Sequence, residues 1–358
     1  MAEAGGKAVK THVGGVVPGG YGRVSEILAL VPLLKEFGVD LGRVLHESGL
    51  PADQFNDPEN LIPFRDGSHL IGLCADQADC PHFGLLMGQY TSLDALGIVA
   101  EMARAAPDVR AAIRLIGRYL TLSDGGGLVE LSEGPLFAQW GYALYEPGVE
   151  RPELIYDCVL ANCWNIMRTL CGAKWSPVEI VFTRRAPPDL QPYREFFSAP
   201  LRFDAEHSAL VFRSDWLNTP LPTSNPARLL LLEKQVRDLE ARSTGDLPAQ
   251  VRRVLRRHLL SGSTSLRRVA DDLAVHPRTL DRRLEAHGIS FRSLIDEVRF
   301  EVSCQLLATR LPILTIAQSL QYANPAAFTR AFRRWSRTTP RQWRASLLAS
   351  AEKTSNRD

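Results

Sequence analysis

Arginine side chains near the carboxyl end of the sequence follow the spacing of one face of a helix. Arg330, Arg333 and Arg334 lie off the face that carries Phe328 and Phe332, so this segment has an apolar side and a cationic side. A guanidinium group can bond two acceptors on the edge of guanine, or it can bond phosphate oxygens. The pattern therefore predicts a surface that binds double-stranded DNA.

The residues before this helix supply the elements that would position it. Positions 316–320 are an apolar stretch with helical spacing, and positions 322–323 fit a turn. Asn324 suits the N-cap because its side chain can accept a bond from an unpaired backbone N–H. Pro325 suits the first helical position because its φ is already fixed near the helical value. A short helix, a tight turn and a basic second helix form a helix-turn-helix, whose second helix enters the major groove.

The same design occurs earlier in the chain. Residues 269–273 match residues 316–320 at an offset of 47, whereas residues 277–284 match residues 325–332 at an offset of 48. The second turn is therefore predicted to be one residue longer than the first. Between the two units, positions 291–310 predict a helix of about 30 Å, close to one turn of B-DNA. The sequence thus predicts an all-α carboxyl-terminal domain with two helix-turn-helix units joined by a long helix.

Side chains outside the apolar faces are candidates for contact with DNA, because arginine can bond guanine and small groups can touch the thymine methyl. In each unit the second helix is the recognition helix, which enters the major groove. The residues predicted to contact base edges are Arg278, Thr279, Asp281 and Arg282 on the first recognition helix and Ala326, Ala327, Thr329 and Arg330 on the second. Those predicted to contact phosphates are Arg334, Arg337 and Arg341. For any base-edge candidate taken singly, the alternatives are a phosphate contact and a solvated side chain.

The charge is distributed unevenly along the chain. Residues 247–350 contain 18 Arg, no Lys and 7 acidic residues, whereas residues 1–246 contain 22 basic and 31 acidic residues. The formal net charge of +2 therefore conceals a basic third that is suited to a polyanion and an acidic remainder that is not. The alternative reading of a basic run is a solvated face. The length of 358 residues and the apolar content of 45% indicate globular domains with substantial cores.

The first two thirds of the chain mix helical and strand patterns, which predicts an α+β amino-terminal domain with a mainly antiparallel sheet. The predicted helices are at 24–37, 41–47, 64–76, 82–90, 93–104, 108–120, 150–171 and 190–197. The predicted strands are at 128–131, 136–144, 178–182, 201–203 and 209–212.

A small-molecule pocket is predicted between the sheet and the long helix at 150–171. The candidate lining residues are Trp140, Tyr142, Tyr145, Tyr156, Cys163, Trp164 and Met167. The alternative for each of them is ordinary packing in the core.

The predicted organisation has four parts. Residues 1–23 form a flexible tail, residues 24–225 a folded domain, residues 226–246 a helical linker and residues 247–348 the DNA-binding domain. The boundary before the linker rests on a proline-rich stretch at 220–226. The linker carries an apolar seam, which fits either docking onto one of the domains or a role in dimerisation or signal transfer.

Several features common in other classes of protein are missing from the sequence. The six cysteines contain no C-x-x-C pair and are interpreted as reduced, structural cysteines. His69, His82 and His207 lack metal-ligand spacing, so we expect neither a metal nor a cofactor. The first twenty residues lack the apolar segment of a signal peptide, and no apolar run reaches the roughly 18 residues of a membrane helix. We expect a cytoplasmic protein.

The two regions resemble known families. The pattern A-x-x-L-x-Y-x-x-x-x-x-F-x-R-A-F-R-R-W-x-x-x-x-P-x-x-W-R at 317–344 resembles the signature of the AraC family, with Gln321 where the family usually has glycine. Residues 24–225 resemble the arabinose-binding-like regulatory domain of a subgroup of that family. The motifs that carry this second resemblance are F-G-L-L-M-G at 83–88, L-I-G-R-Y-L at 115–120, R-R-A-P-P-D-L-Q-P-Y-R-E-F-F-S-A-P-L-R-F at 184–203, S-A-L-V-F-R at 208–213 and T-P-L-P at 219–222.

The resemblance implies a transcriptional regulator with an effector-binding regulatory domain. It implies a ligand-responsive activator that binds promoter DNA and a small-molecule effector and contacts RNA polymerase. It does not identify arabinose as the ligand. The alternatives are a repressor and a ligand-independent activator. The sequence leaves open the identity of the effector, the target genes, the direction of control and whether the protein is a homodimer.

A more distant alternative is a DNA-repair alkyltransferase fused to the same DNA-binding unit. Cys80, Pro81 and His82 superficially resemble its reactive motif, but their order differs from Pro-Cys-His and no second cysteine cluster exists. A P-loop and a G-x-G-x-x-G loop are also absent. We therefore expect no enzymatic activity.

Overall fold

A computed structural model describes residues 17, 20–122, 124–144, 146, 148–242, 247–260, 264–273, 275–308 and 312–346. Its α-helices are α1 (Leu30–Glu36), α2 (Leu41–Glu47), α3 (Phe64–Gln77), α4 (Phe83–Tyr90), α5 (Ile98–Ala105), α6 (Val109–Tyr119), α7 (Pro152–Cys171), α8 (Gln191–Phe197), α9 (Pro226–Arg242), α10 (Leu247–Leu260), α11 (Leu266–Asp272), α12 (Pro277–Ala286), α13 (Phe291–Ala308), α14 (Ile313–Ser319) and α15 (Pro325–Ser336). Its strands are β1 (Tyr21–Arg23), β2 (Leu61–Pro63), β3 (Gly127–Glu133), β4 (Phe137–Leu144), β5 (Glu179–Val181), β6 (Leu201–Arg202) and β7 (Ser208–Arg213).

The amino-terminal part is organised around a five-stranded sheet in the order β3-β4-β7-β5-β6. All neighbouring pairs are antiparallel except β5 and β6, so the prediction of a mainly antiparallel sheet is confirmed. Along β4, Ala138, Trp140 and Tyr142 are buried while the residues between them are less so, as expected for a strand with one face on a core. A separate ribbon pairs β1 with β2.

The helix α7 packs closely against α4, and two glycines of the F-G-L-L-M-G motif make the contact possible. A Cβ atom on Gly84 would lie 2.0 Å from the carbonyl oxygen of Leu154. A Cβ atom on Gly88 would lie 2.3 Å from the carbonyl oxygen of Cys158. Any larger residue at either position would force the two helices apart.

A buried polar network ties α7 to the region around α8. The carboxylate of Asp157 accepts hydrogen bonds from Arg184, at 3.0 Å from Nε and 2.8 Å from Nη2, and from the hydroxyl of Tyr193 at 2.6 Å. Burial raises the pKa of Asp157 to about 7, although Arg184 acts to lower it. A buried carboxyl group is tolerated here because charged and neutral donors satisfy both of its oxygens.

The structure differs from the predicted elements in two helices. The region 24–37 is not one helix but a 3₁₀ turn at Val24–Ile27 followed by α1, so that Pro32 falls in the first helical turn, where a missing N–H costs nothing. The region 93–104 is likewise divided, because Gly97 adopts a φ of +55° between a 3₁₀ turn and α5. The elements β1, β2 and α10 are additions, and β1 takes up the last three residues of the expected tail.

A second hydrophobic core lies in the carboxyl-terminal region and is built by α10 to α15. The helix α9 joins the amino-terminal core instead, where Leu232 and Val236 are buried and Arg228 forms an ion pair with Glu101 of α5. The apolar seam of the expected linker therefore docks onto the amino-terminal region. Within the ranges that the structure describes, no helix has both the length and the apolar character needed to span a membrane.

Candidate nucleic-acid interface and ligand cavity

The first helix pair consists of α11 and α12, and residues 273–276 lie between them in the sequence. The hydroxyl of Ser265 caps α11 by accepting a bond from the backbone N–H of Arg268 at 3.3 Å. His276 caps α12 and Pro277 occupies its first turn. Val269 and Ala270 of α11 are fully buried, as are Leu280 and Leu284 of α12, so the opposite face of α12 lies toward solvent.

The second helix pair, α14 and α15, repeats this arrangement with a turn of one more residue, at 320–324. The added residue lies in the turn, as the two sequence offsets predict. The side chain of Asn324 accepts a bond from the backbone N–H of Ala327 at 2.9 Å, and Pro325 begins α15. The predicted helix start is therefore confirmed. Phe328 and Phe332 are fully buried on the inner side of α15.

Gln321 occupies the turn position where the AraC signature usually has glycine. Its φ is +62°, in the left-handed region, where a side chain costs about 1–2 kcal/mol. Its amide oxygen accepts two bonds from Thr264, from the backbone N–H at 3.2 Å and from the hydroxyl at 2.9 Å. Its amide nitrogen donates to the carbonyl oxygens of His258 and Leu259, at 3.1 Å and 2.7 Å. These bonds offset the strain and tie the second turn to the end of α10, a role that the sequence pattern does not reveal.

The predicted base-contacting residues all lie at the surface. Four of them are exposed and four are partly exposed. The exposed residues are Arg278, Arg282, Ala326 and Arg330, and the partly exposed residues are Thr279, Asp281, Ala327 and Thr329. Their positions leave these side chains accessible to a duplex, and contact with bases remains a prediction.

The three predicted phosphate contacts differ in their surroundings. Arg334 bonds the carboxylate of Asp296 at 2.9 Å and lies over the ring of Trp335. Arg337 ends α15 with a φ of +64°, and Arg341 lies in a helical segment at 340–346. Arg337 and Arg341 form no ion pair with another residue that the structure describes. Phosphate contact by these two guanidinium groups stays a prediction, and it would not require either of them to leave a carboxylate of the described residues.

An aromatic cluster anchors α15 to the rest of the domain. The ring of Phe300 in α13 lies 5.6 Å from Phe332 and 5.9 Å from Trp335, measured between centroids. Trp343 lies 5.8 Å from Phe332, and Tyr322 lies 5.7 Å from Phe328. The spacing in α15 predicts its apolar face, but Phe300 and Trp343 join the cluster only through the fold.

A cavity of about 90 Å³ lies in the amino-terminal domain between α3, α7 and the β1–β2 ribbon. Its wall is mostly apolar, with side chains such as Ile62, Ile71 and Met87. Two carboxylates, Glu26 and Asp124, also line it. It is bounded by β4 and α7, where the sequence predicts a pocket, but it extends toward α3 and the amino terminus.

The predicted pocket residues are distributed differently. Tyr142 lines the cavity, and Tyr156 packs edge-on against Tyr142 at 5.9 Å. Trp140, Cys163 and Met167 are buried in the core, and Trp164 packs against Trp175 and Phe196. Tyr145 lies outside the described residues. An apolar sequence pattern does not distinguish a residue in a cavity wall from a residue in a core. The predicted pocket residues therefore include both kinds.

The cysteine and histidine side chains lie in structural surroundings. All six cysteines are unpaired. Burial raises the pKa of the Cys80 thiol and lowers the pKa of His82, which opposes formation of a reactive thiolate–imidazolium pair. His69 bonds Glu150 at 2.8 Å, and His207 bonds Gln139 at 2.5 Å. The described part of the chain contains no group of His, Cys, Asp and Glu side chains arranged to hold a metal.

A polar contact between described residues links the two domains beside the first helix pair. Nη2 of Arg118 in α6 lies 3.4 Å from a carboxylate oxygen of Asp272 at the end of α11. The other carboxylate oxygen of Asp272 bonds His258 at 2.8 Å. The 3₁₀ turn Leu120–Leu122 follows α6 directly, and its Leu120 accepts a backbone bond from the cavity residue Asp124 at 2.8 Å. The cavity wall and the interdomain contact thus lie close together along the chain.

Comparisons with known proteins match the two regions of the chain to two domain families. Residues 38–221 match the arabinose-binding domain of AraC transcription regulators, and residues 269–346 match a helix-turn-helix domain family. The chain is 28% identical over 326 residues to the HTH-type transcriptional regulator VirS of Mycobacterium tuberculosis, which covers 90% of this chain and 96% of the relative. It is 26% identical over 336 residues to the ornithine utilization regulator of Pseudomonas aeruginosa, covering 88% and 94%.

Among solved structures, the transcriptional regulator CdpR from Pseudomonas aeruginosa is 22% identical, covers 90% of this chain and 98% of its own, and superposes with a TM-score of 0.48. The arabinose-binding match alone spans half of the chain. The chain therefore belongs to the AraC family of transcriptional regulators, with an arabinose-binding-type effector domain followed by a helix-turn-helix DNA-binding domain.

Proposed function

We propose that the protein is a ligand-responsive transcriptional activator that reads two successive major grooves with α12 and α15. The observation that carries this proposal is the repeated pair of short and longer helices on either side of α13. These pairs act as two helix-turn-helix units, and α13 spans about 27 Å, close to one turn of B-DNA. One chain then reads two half-sites about 10 base pairs apart without dimerising.

The proposed division of the chain assigns effector binding to residues 24–225, linkage to residues 226–246 and DNA binding to residues 247–348. Support comes from the hydrophobic core built by α10 to α15, which is separate from the cores of the amino-terminal region, and from the concentration of arginine in the last third. Arg278, Thr279, Asp281 and Arg282 contact bases in one half-site, and Ala326, Ala327, Thr329 and Arg330 contact bases in the other. Arg334, Arg337 and Arg341 contact phosphates.

The test is DNA selection with residues 245–350 and with the full chain. Both should select the same two half-sites, and binding should weaken steeply with salt, because each neutralised phosphate contributes about −0.9 to the log–log slope. A folded fragment that binds every sequence equally at low salt would contradict the proposal.

Activation is proposed to depend on an effector in the amino-terminal domain and on contact with RNA polymerase in the cytoplasm. The cavity and the Arg118–Asp272 contact support a route from effector to DNA-binding domain. The test is a reporter assay in which residues 1–240 are deleted. Effector-dependent transcription should disappear while DNA binding persists. If the reporter shows repression, or activation without any effector, the protein is not a ligand-responsive activator.

A further inference from the structure

The cavity in the amino-terminal domain has an unusual balance of charge. The side chain of Asp124 is 7% exposed and accepts bonds from the backbone N–H of Gly126 at 2.6 Å and from the hydroxyl of Tyr142 at 3.2 Å. Both donors are neutral, and Asp124 forms no ion pair with any residue that the structure describes. A buried carboxylate without a cation is costly, because neutral donors only partly replace its hydration.

The other charged groups of the wall do not supply the missing cation. Arg23 lines the cavity, but its guanidinium bonds Glu59 and the carbonyl oxygen of Leu122. Glu26 adds a second carboxylate to the wall. Burial raises the pKa of the Asp124 carboxyl, and a bound cation beside it would lower that pKa again. The wall therefore favours a positively charged group over a negatively charged one.

The size and remaining lining of the cavity restrict the rest of the ligand. A volume of about 90 Å³ is smaller than the roughly 150 Å³ of an apolar cavity that holds benzene, so the ligand is short. Ile27, Ile62, Ile71 and Met87 offer only hydrocarbon or thioether contacts. An aliphatic chain of a few carbons fills such a space and displaces its water.

We propose that this cavity binds a short aliphatic amine, with its ammonium group at Asp124 and its chain among the apolar residues that face α3 and α7. The assignment rests on the proposed ligand-responsive function and names the chemical class of its effector. The ammonium group donates to the carboxylate oxygens of Asp124. Release of the amine leaves the carboxylate of Asp124 with neutral donors.

The test compares n-butylammonium chloride with sodium butyrate, which has nearly the same length and the opposite charge. Thermal unfolding of the full chain is measured at matched ionic strength, and saturation-transfer NMR detects the bound probe directly. We expect n-butylammonium to raise Tm with concentration and to give saturation transfer, and butyrate to do neither. Stabilisation by butyrate alone, or by neither probe, would overturn the proposal.

Three variants locate the site. Asp124→Asn keeps an acceptor for Gly126 but removes the charge, and we expect affinity for n-butylammonium to fall about tenfold or more. Gly67→Val places a side chain at the wall, where a Cβ atom meets only Ile62 at 3.6 Å, and should also abolish binding. Asp94→Asn alters an exposed carboxylate outside the cavity and should respond like the wild type. Circular dichroism verifies that each variant is folded.

The outcomes separate this proposal from the proposed function. An unchanged response in folded Asp124→Asn or folded Gly67→Val would place the amine elsewhere and overturn the assignment. If both variants fail to fold, the comparison of n-butylammonium with butyrate on the wild-type chain still decides. DNA selection by the same protein without amine tests the regulator itself. If the protein binds DNA selectively but does not respond to the amine, the proposed regulator function stands and the amine proposal is overturned.

Discussion

The two helix pairs of the DNA-binding domain share a backbone plan but are held by different interactions. The inner face of α12 consists of aliphatic side chains such as Leu280 and Leu284, whereas the inner face of α15 is part of an aromatic cluster that includes Phe328 and Phe332. The first pair contacts the effector domain through Asp272, and the second turn is tied to α10 by Gln321. We propose from this comparison that a signal from the effector domain reaches the first pair, and that the second pair changes less.

The largest expected effect concerns the packing of α12 and α15. Phe332→Ala should cost about 3–5 kcal/mol of the free energy of unfolding, because it removes a ring that contacts three other aromatic side chains. Leu284→Ala should cost about 2–5 kcal/mol and fall below Phe332→Ala. The measurement is guanidinium unfolding of residues 245–350, followed by tryptophan fluorescence. An equal or larger loss in Leu284→Ala would remove the proposed difference in anchoring.

A second prediction concerns base reading by the two outer faces. Arg282→Ala and Arg330→Ala should each cost about 1–3 kcal/mol of DNA-binding free energy and relax sequence choice in one half-site. The second half-site should be less selective from the start, because Ala326 and Ala327 offer no hydrogen-bonding side chain. Selection from a randomised library measures both effects. The control, Arg337→Ala, should weaken binding to all sequences alike and flatten the salt slope. If Arg282→Ala and Arg330→Ala reduce affinity for all sequences equally, both arginines contact phosphates and not bases.

The third prediction isolates the bonds of Gln321 from its backbone strain. Gln321→Ala should destabilise residues 245–350 by about 1–3 kcal/mol, because Thr264, His258 and Leu259 lose their partners. Gln321→Gly loses the same bonds but relieves the strain at a φ of +62°, so it should be about 1 kcal/mol more stable than the alanine variant. Chemical unfolding of the two variants gives the difference directly. An alanine variant as stable as the wild type would mean that the side-chain bonds contribute nothing, and a glycine variant no more stable than alanine would mean that the backbone at this position is not strained.

The smallest expected effect is at the interdomain contact. Arg118→Ala should change DNA affinity of the full chain by less than about 1 kcal/mol, because the ion pair is partly exposed and screened by water. Its effect should appear in the response to effector, which reporter activity measures with and without ligand. Arg114→Ala is the matched control, since Arg114 lies on the same helix and pairs with Glu133 within its own domain. If the reporter responses of the two variants to effector are equal, the contact of Arg118 with Asp272 does not carry a signal to the first helix pair.

Local patterns were sufficient to predict much of this protein. The start of α15 follows from Asn324 and Pro325, since a cap and a fixed φ act within one helical turn. The longer second turn follows from the two offsets in the repeat. The strand β4 lies within the predicted range 136–144, and its burial alternates along the strand. In each case, the residues that determine the structure are neighbours in the sequence.

The tertiary structure alone decided which distant groups meet. Thr264 and Gln321 are 57 residues apart, and Arg118 and Asp272 are 154 apart, so no periodicity relates them. The cavity has the same origin: Asp124 becomes part of its wall because α3, α7 and the β1–β2 ribbon surround it. Periodicity tells which face of a helix or strand is buried, but whether that face meets a neighbour or an open space depends on long-range packing.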